Sequence, residues 1–303
     1  MKKIKNVLSL FDGAGIGCLA LKETSISFEK YFASEIDKKA ISVSKKHHPE
    51  IIHLGDVTKW KEWDIDFSQI DLLIGGSPCQ GFSTSGKGLN FNDPRSKLFF
   101  EFVDILNHIK SKNPMVKFML ENVVMKKKEW EDTVSSHLGV PAKKLNSRLT
   151  SAQNRERLYW ANFDITEPDD RGVCLNDIIE DKYMPNKASI IGRRLNKNGH
   201  REDYNKSIPI TQCLEVRATN RYKSNCLTTV AKDTVLTNMP IGRHIDVYGN
   251  KIPYRDYTPA ERCRLMSWPE NYLDGLKYGQ IVKITGNGWE LEMVKHIFMC
   301  LFY

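Results

Sequence analysis

The first half of the chain repeats a short apolar run, a turn and a helix-like stretch at intervals of about 20 residues, the period expected of βα units. The apolar runs cover residues 7–11, 31–35, 51–56 and 71–74. Repeated βα units fold as a mostly parallel sheet with helices on both faces. Because ligands bind outside the carboxyl ends of such strands, the pattern predicts a doubly wound α/β domain whose functional residues follow its strands.

The middle of the chain has a different character. Residues 165–222 contain scattered Gly and Pro, many Arg and Lys, and few long apolar runs, which indicates a separate and less regular unit. Helical patterning returns near Thr258, which can act as an N-cap, and Pro259, which suits the first turn of a helix. Residues 292–302 are typical of a terminal helix.

The composition limits the class of protein. The 303 residues are 41% hydrophobic and 27% charged, and no apolar run approaches the roughly 20 residues that a membrane span needs. Seven cysteines form no C-x-x-C pair and are odd in number, so we expect neither a metal site nor a disulfide framework. With no recognisable export signal, this favours the reducing cytoplasm. The net charge of +8 favours a polyanionic partner such as nucleic acid.

Cys79 is a candidate nucleophile. It follows the apolar run 71–74 and the sequence Gly-Gly-Ser-Pro, so it is expected where a strand ends and a loop begins. Pro78 has a fixed φ and favours an extended residue before it, which suits rigid presentation of a thiol. Residues 80–96 are rich in Gly, Ser, Asn and Lys, which favours a loop able to close over a substrate. The alternative is a buried structural cysteine.

A glycine-rich turn after the first strand predicts a nucleoside-binding site. Gly13, Gly15 and Gly17 lie between a strand and a helix, with spacing G-x-G-x-G and not the G-x-G-x-x-G of dinucleotide enzymes. Glu35 is placed to bind a ribose diol, and Asp56 is placed to reach an adenine amine. The alternative is a tight βα turn with two exposed acids. The spacing argues against a nicotinamide dehydrogenase.

Three further polar residues are candidates for chemistry. Glu121 ends a predicted strand, where a carboxyl group with a raised pKa can donate a proton; the alternative is an N-cap or surface acid. Arg155 and Arg157 alternate, so on an extended segment both would point to one face and could clamp a carbonyl oxygen or a phosphate. The alternative is a solvated charge pair.

Five motifs follow one another in an order that resembles the cytosine-C5 DNA methyltransferase family. They occupy residues 11–15 (FDGAG), 76–80 (GSPCQ), 121–123 (ENV), 153–157 (QNRER) and 286–289 (GNGW). The resemblance is to the bacterial and phage type, with some similarity to the animal de novo methyltransferases, and covers most of the chain outside residues 165–222.

The resemblance implies a fold and a division into domains. We expect a Rossmann-like, S-adenosylmethionine-dependent methyltransferase sheet with a second, smaller target-recognition domain. Residues 1–164 with 281–303 would form the catalytic, cofactor-binding domain, and residues 165–280 the target-recognition domain. The terminal helix would return to pack on the first domain.

The resemblance also implies catalytic roles. Cys79, as a thiolate, would add to carbon 6 of a cytosine while Glu121 protonates or hydrogen-bonds ring nitrogen 3. Carbon 5 would then take a methyl group from S-adenosylmethionine, a base would remove the carbon 5 proton, and elimination would release Cys79. Arg157 would hold the cytosine carbonyl and Arg155 would order the closed loop. The target cytosine must leave the duplex for this chemistry.

The implied cofactor is S-adenosyl-L-methionine. Phe11 would stack on its adenine and Glu35 would bind its ribose. Gly288 departs from the pattern, since many members of the family carry a small hydroxyl residue or alanine there. The full implied pocket consists of Phe11, Asp12, Gly13, Gly15, Glu35, Ile36, Asp56, Val57, Pro78, Leu98, Asn287, Gly288 and Trp289.

The implied partner is double-stranded DNA, bound by a monomer without a metal ion. The expected DNA contacts are polar or basic side chains of the catalytic loop and of the recognition region: Gln80, Ser83, Lys87, Arg193, Arg194, Arg201, Arg217, Arg221 and Lys223. Two alternatives stay open: methylation of cytosine in transfer RNA, and a catalytically silent homologue that binds DNA.

Overall fold

Within residues 3–78, 97–217 and 222–302, which the computed structural model describes, the chain forms eleven strands and eight α-helices. The strands are β1 (Lys3–Leu10), β2 (Ser27–Ser34), β3 (Ile52–His53), β4 (Ile70–Gly76), β5 (Lys117–Val123), β6 (Lys143–Asn146), β7 (Glu156–Ala161), β8 (Asn186–Arg194), β9 (Ile210–Val216), β10 (Val235–Thr237) and β11 (Gly242–His244). The helices are α1 (Ile16–Glu23), α2 (Lys38–His47), α3 (Leu98–Lys112), α4 (Lys128–Leu138), α5 (Leu175–Ile178), α6 (Pro259–Leu265), α7 (Tyr278–Asn287) and α8 (Leu291–Met299).

The first unit is built on a seven-stranded sheet in the order β3-β2-β1-β4-β5-β7-β6. Neighbouring strands from β3 to β5 pair in parallel, and β7 pairs antiparallel with both β5 and β6. The unit comprises residues 1–146, 156–169 and 291–303. This architecture confirms the predicted α/β sheet.

Burial explains why these runs become inner strands. The last five residues of β1 are all buried, and four consecutive residues of β4 are buried, as expected for strands covered on both faces. Helix α3 packs Phe99, Phe102 and Leu106 into the same core. The order of the strands reverses direction at β1, so a crevice is expected between the carboxyl ends of β1 and β4.

The terminal helix belongs to the first unit. Helix α8 packs against α1, and the Lys295 ammonium donates to the Glu23 carboxylate at 2.9 Å. Of the described residues, no helix is both long and apolar enough to cross a membrane.

The second unit contains a four-stranded antiparallel sheet in the order β10-β8-β9-β11. It comprises residues 147–155 and 170–290, whereas the sequence placed 147–155 and 281–290 in the catalytic domain. Hydrogen bonds explain the position of the first of these segments. The buried amide of Gln153 donates to the carbonyl of Leu265 at 2.6 Å and accepts from the amide of Leu227 at 3.2 Å.

The small sheet has one apolar and one polar face. Alternation places Ala188, Ile190, Leu214 and Val216 in a core, while the intervening residues face the other side. On the polar face, the Glu215 carboxylate accepts from the guanidinium groups of three arginines. The distances are 2.8 Å to Arg193, 2.8 Å to Arg217 and 3.3 Å to Arg243.

Hydrogen bonding to Arg193, followed by that to Arg217, lowers the pKa of Glu215 from its ordinary value of 4.5 to about 2, against the opposing effect of burial. A carboxyl group with a lowered folded-state pKa stabilises the fold above its unfolded-state pKa, and loses that contribution as the pH falls to the folded value. The contribution of Glu215 to stability is therefore complete at neutral pH and lost between about pH 4.5 and about pH 2.

We predict that Glu215→Gln lowers the free energy of unfolding at pH 7, because it leaves the arginines around Glu215 without their carboxylate. The difference between the wild type and Glu215→Gln should shrink as the pH falls from about 4.5 to about 2. Urea titrations at a series of pH values measure this difference. A difference that stays constant over the acidic range would contradict the account.

Candidate functional site

The glycine loop after β1 leaves open space at the carboxyl edge of the sheet. Phe11, Gly13 and Gly15 all have positive φ, at 58°, 63° and 82°. A Cβ atom on Gly13 would meet no atom within 4 Å, so a ligand can approach its backbone; one on Gly15 would lie 2.9 Å from the His48 ring. The loop therefore has the geometry of a cradle, closed beneath by His48 and open at Gly13.

Glu35 connects the ends of β1 and β2. Its carboxylate accepts the amide of Gly13 at 2.9 Å and the amides of Ile36 and Asp37 at 2.7 and 2.8 Å. A carboxylate has about four lone-pair sites, so acceptor capacity remains for a ribose diol. Ile36 is 69% exposed at this position, which leaves an apolar side chain available to a flat ring.

Asp12 is half-buried in the cradle, and its carboxylate Oδ2 atom is fully buried. Burial, ahead of the opposing hydrogen bonds, raises the pKa of Asp12 from 3.8 to about 6. Its Oδ1 accepts the Tyr31 hydroxyl at 2.7 Å, and its amide donates to the carbonyl of Ser34 at 3.1 Å. These contacts favour a structural role for the side chain, which holds the loop against β2.

Three more predicted cofactor contacts lie at the start of helical segments in the first unit: Asp56, Val57 and Leu98. Asp56 caps the 3₁₀ segment Val57–Glu62, and its carboxylate accepts from the amide and hydroxyl of Thr58, both at 2.9 Å. Val57 is buried, and Leu98 begins α3 and packs on the core. The capping function of Asp56 is thus visible, and contact with adenine stays a prediction.

Glu121 and Arg157 form an ion pair at the carboxyl end of β5. The Arg157 Nε donates to Glu121 Oε1 at 3.0 Å, and the two side chains are only 13% and 11% exposed. Antiparallel pairing places Arg157 opposite Val123, so Glu121 and Arg157 are diagonal neighbours on one face. The Arg157 guanidinium also donates to the carbonyl of Glu156 at 2.7 Å.

Asn122 fixes the backbone that leads to the predicted nucleophile. Its amide donates to the carbonyl and hydroxyl of Ser77, at 3.3 and 3.1 Å, and both residues are buried. Ser77 and the half-buried Pro78 are the last described residues before position 79. Neither Asn122 nor Ser77 was among the predicted site residues, although each adjoins one of them. The predicted site residues Cys79, Gln80, Ser83, Lys87 and Arg221 lie outside the described residues.

Arg155 lies in the second unit and before the strand that carries Arg157, so alternation along one extended segment does not relate the two side chains. Arg155 is 3% exposed. Its guanidinium donates to the carbonyls of Leu227, Gly286 and Gly288, at 3.1, 3.1 and 2.8 Å. These contacts make Arg155 a structural anchor of the second unit.

The residues of the last motif are packed tightly within the second unit. A Cβ atom on Gly286 would lie 2.4 Å from the Thr228 backbone, and one on Gly288 would lie 2.6 Å from the Trp268 ring. The Trp268 indole also donates to the carbonyl of Trp289 at 2.9 Å. Contact with Trp268 explains why Gly288 has no side chain. Asn287 ends α7 between the two glycines.

The basic residues expected to contact DNA differ in how many ion pairs and hydrogen bonds they form within the protein. Arg193 pairs with Glu215 and Asp203, and Arg201 pairs with Asp203. Arg194 donates to the carbonyls of Lys206 and Ile208. Arg217 is an open member of the set, with its side chain 65% exposed.

Lys223 is 9% exposed, and its ammonium donates to the carbonyls of Ser151, at 3.2 Å, and Val173, at 2.5 Å. These bonds favour a structural role for Lys223 over contact with a phosphate.

One group of potential metal ligands occurs among the described residues. Atoms of Cys18, His48 and Glu50 lie within 4.8 Å of one another. Lys22 ion-pairs with Glu50 and lies 3.3 Å from the His48 ring nitrogen, so an ammonium already occupies the neighbourhood. Burial raises the pKa of the Cys18 thiol, which opposes the thiolate that a metal ion requires. This cluster is better suited to supporting the glycine loop than to holding a cation.

The chain is similar in sequence to a known family and to several of its characterised members. A family model described as C-5 cytosine-specific DNA methylase matches residues 5–302. The chain is 30% identical to the type II methyltransferase M1.ScrFI of Lactococcus lactis subsp. cremoris, over 93% of this chain and 74% of that protein. It is 32% identical to the type II methyltransferase M.NgoBV of Neisseria gonorrhoeae, over 62% of this chain and 48% of that protein.

Solved structures are similar over nearly the whole chain. A mutant of DNMT2 from Spodoptera frugiperda has a TM-score of 0.63 and 19% identity, covering 99% of this chain and 100% of that one. The methyltransferase EhMeth of Entamoeba histolytica has a TM-score of 0.64 and 15% identity, covering 99% of this chain and 98% of that one.

We predict that Arg155→Lys destabilises the protein by about 1–3 kcal/mol, because one ammonium cannot replace a planar fork that serves three buried carbonyls. Chemical denaturation measures the loss. Arg148→Lys, at an exposed arginine in the same segment, is the control and should leave stability within about 0.5 kcal/mol of the wild type. Unchanged stability in Arg155→Lys would contradict the structural role.

Proposed function

Because the chain belongs to the C-5 cytosine-specific DNA methylase family and is a DNA (cytosine-5-)-methyltransferase, we propose that S-adenosylmethionine is its methyl donor and a flipped cytosine its acceptor. The sheet has the S-adenosylmethionine-dependent methyltransferase fold. The observation that carries the proposal is the buried Glu121–Arg157 pair at the carboxyl edge of the sheet, joined through the adjacent Asn122 to Ser77 of the nucleophile segment.

The residues at the edge of the sheet fit the proposed cofactor. The open backbone at Gly13 lets the donor approach closely, and Glu35 retains acceptor capacity for its ribose. Phe11 is half-buried and Ile36 is exposed, which suits packing against adenine. When bound there, S-adenosylmethionine supplies an electrophilic methyl group. Asn287, Gly288 and Trp289 stay proposed cofactor contacts from the motif alone.

Glu121 and Arg157 are proposed to bind the cytosine ring. Their ion pair holds the Glu121 carboxyl in one orientation, from which it hydrogen-bonds ring nitrogen 3 of the cytosine. Arg157 has further donors beyond Nε, and these can bind the cytosine carbonyl oxygen. The low exposure of both side chains strengthens these contacts, because electrostatic interactions are stronger where water is excluded.

Cys79 is proposed as the nucleophile. Its thiolate forms a bond to carbon 6 while Glu121 limits the negative charge that develops at nitrogen 3. Carbon 5 then takes the methyl group, a base removes the carbon 5 proton, and elimination breaks the bond between sulfur and carbon 6. The Asn122–Ser77 hydrogen bonds fix the backbone two residues before Cys79, so Asn122 is a positioning residue for this step.

The substrate is proposed to be duplex DNA with a short recognition sequence. The net charge of +8 favours a polyanion, and carbon 5 can be reached by the thiol and the donor only when the base leaves the stack. The second unit is proposed to recognise the target, in part through the exposed Arg217. We infer a cytoplasmic monomer that needs no metal ion.

The two alternatives from the sequence are less well supported. Curated relatives are named type II or orphan methyltransferases, and the matching family is described as acting on DNA. Transfer of a labelled methyl group to duplex DNA and transfer RNA, tested side by side, separates the substrates. Label in RNA alone would overturn the proposal.

We predict that the wild type, expressed in a host without such enzymes, methylates cytosine at one short DNA motif, and that Cys79→Ser abolishes this modification. Glu121→Gln should slow it by roughly 10²–10⁴-fold, the typical contribution of acid–base catalysis. Base-resolution methylcytosine sequencing measures all variants. Cys174→Ser, at a half-buried cysteine of the second unit, is the control and should methylate as the wild type does.

Two results would contradict this prediction. Methylation that persists in Cys79→Ser would exclude the covalent mechanism. Unmodified DNA from soluble wild-type protein would favour the RNA substrate or the silent homologue.

A further inference from the structure

The polar face of the small sheet contains a pocket that no catalytic role explains. Its volume is about 130 Å³. Strand β8 contributes three residues that alternate along one face, and β9 contributes Glu215 from the same face. Arg217 directly follows the end of β9. Among the described residues, the lining consists of Lys187, Ser189, Ile191, Glu215, Arg217 and Asn225. We call it the Lys187 pocket.

Lys187 is an unusual residue for a buried position near the start of a strand. It is 6% exposed, and no acceptor within the described ranges contacts its ammonium group. Burial lowers the pKa of Lys187, and no neighbouring acid offsets the effect. The ammonium is not among the fully buried unpartnered atoms of the described residues, so it opens onto the pocket. Partial loss of hydration without protein acceptors costs free energy. The Lys187 ammonium is therefore a hydrogen-bond donor in the pocket with no acceptor among the described residues.

Glu215, the one acid that lines the Lys187 pocket in the described part of the chain, does not supply the missing acceptor. Glu215 already accepts hydrogen bonds from Arg193, Arg217 and Arg243. Asp203, on the same network, pairs with Arg193 and Arg201. With Lys187 included, these five cationic side chains surround two carboxylates, so the region carries an excess of positive charge.

The two neutral polar residues of the pocket are held in place by internal hydrogen bonds. Asn225 donates to the hydroxyl of Ser189 at 3.1 Å, and Ser189 donates to the carbonyl of Asp233 at 2.7 Å. This arrangement fixes the wall beside Lys187 without using the ammonium. The pocket is accordingly preorganised, and its available groups are cationic donors.

We propose that the Lys187 pocket binds one backbone phosphate of the DNA substrate. The proposal rests on the proposed function and names a contact that the sequence analysis did not select. A phosphate supplies several acceptor oxygens and negative charge, which match the unpartnered ammonium and the positive surroundings. A base edge is a poorer match, because it presents no net charge. Phosphate contacts set the position of a protein on the duplex and do not read its sequence.

The test compares Lys187→Met with the wild type in binding to the duplex that the enzyme methylates, over a series of salt concentrations. Methionine keeps the unbranched side chain up to the Cε position and removes the charged ammonium group. The slope of log K against log salt should decrease in magnitude by about 0.9, the value for one lost phosphate contact. The methylated motif should stay the same, because the contact carries no base readout. The unfolding midpoint should not fall, because the variant no longer buries an unpaired charge.

Lys251→Gln is the matched control, since it removes one exposed lysine of the second unit far along the chain from the pocket residues. It should leave the slope unchanged. Inorganic phosphate, added at constant ionic strength, should raise the unfolding midpoint of the wild type more than that of Lys187→Met.

The proposal would be overturned by an unchanged slope in Lys187→Met, by an equal decrease in Lys251→Gln, by a changed methylation motif, or by a lower unfolding midpoint in Lys187→Met. Stabilisation by inorganic phosphate with an unchanged DNA slope would assign the pocket to a free anion and would also overturn it. Failure of the wild type to bind or methylate DNA would instead count against the proposed function.

Discussion

Parallel pairing of β1 with both β2 and β4 is the constraint on which the first unit depends. It brings the carboxyl ends of the strands to one edge, so residues distant in sequence meet there. The contact between the Gly13 amide and Glu35 follows directly from this pairing. The next pairing, of β4 with β5, places Ser77 beside Asn122. One sheet register thus positions both the glycine cradle and Ser77, two residues before Cys79.

The second unit uses buried charges as its organising elements. Arg155 donates hydrogen bonds to three backbone carbonyls, and Lys223 donates to two more, in regions that contain little regular structure. Glu215 forms ion pairs with three arginines on the polar face of the sheet. Each of these groups has partners that offset the cost of burial. Lys187 has none among the described residues, which distinguishes it as a group suited to a ligand.

The sequence predicted what depends on local pattern. Alternating strand and helix signals located the parallel sheet, and glycine spacing located the cradle. The pairing of Glu121 with Arg157 required the antiparallel register of β5 and β7, which no short motif contains. For the same reason Arg155 was grouped with Arg157, although its hydrogen bonds lie in the other unit. Lys187 was not predicted as a DNA contact, because exposed arginines are the usual candidates. Its burial depends on the pairing of strands in the folded sheet, which the local sequence does not show.

The central claim is that Cys79 attacks carbon 6 of a cytosine held by Glu121 and Arg157. A duplex containing 5-fluorocytosine at the methylated position tests it most directly, because fluorine at carbon 5 cannot leave as a proton does and the adduct is trapped. With S-adenosylmethionine present, the account predicts a stable protein–DNA complex whose modified peptide contains Cys79, with much slower formation in Glu121→Gln. No covalent complex from active enzyme, or attachment through another residue, would contradict it.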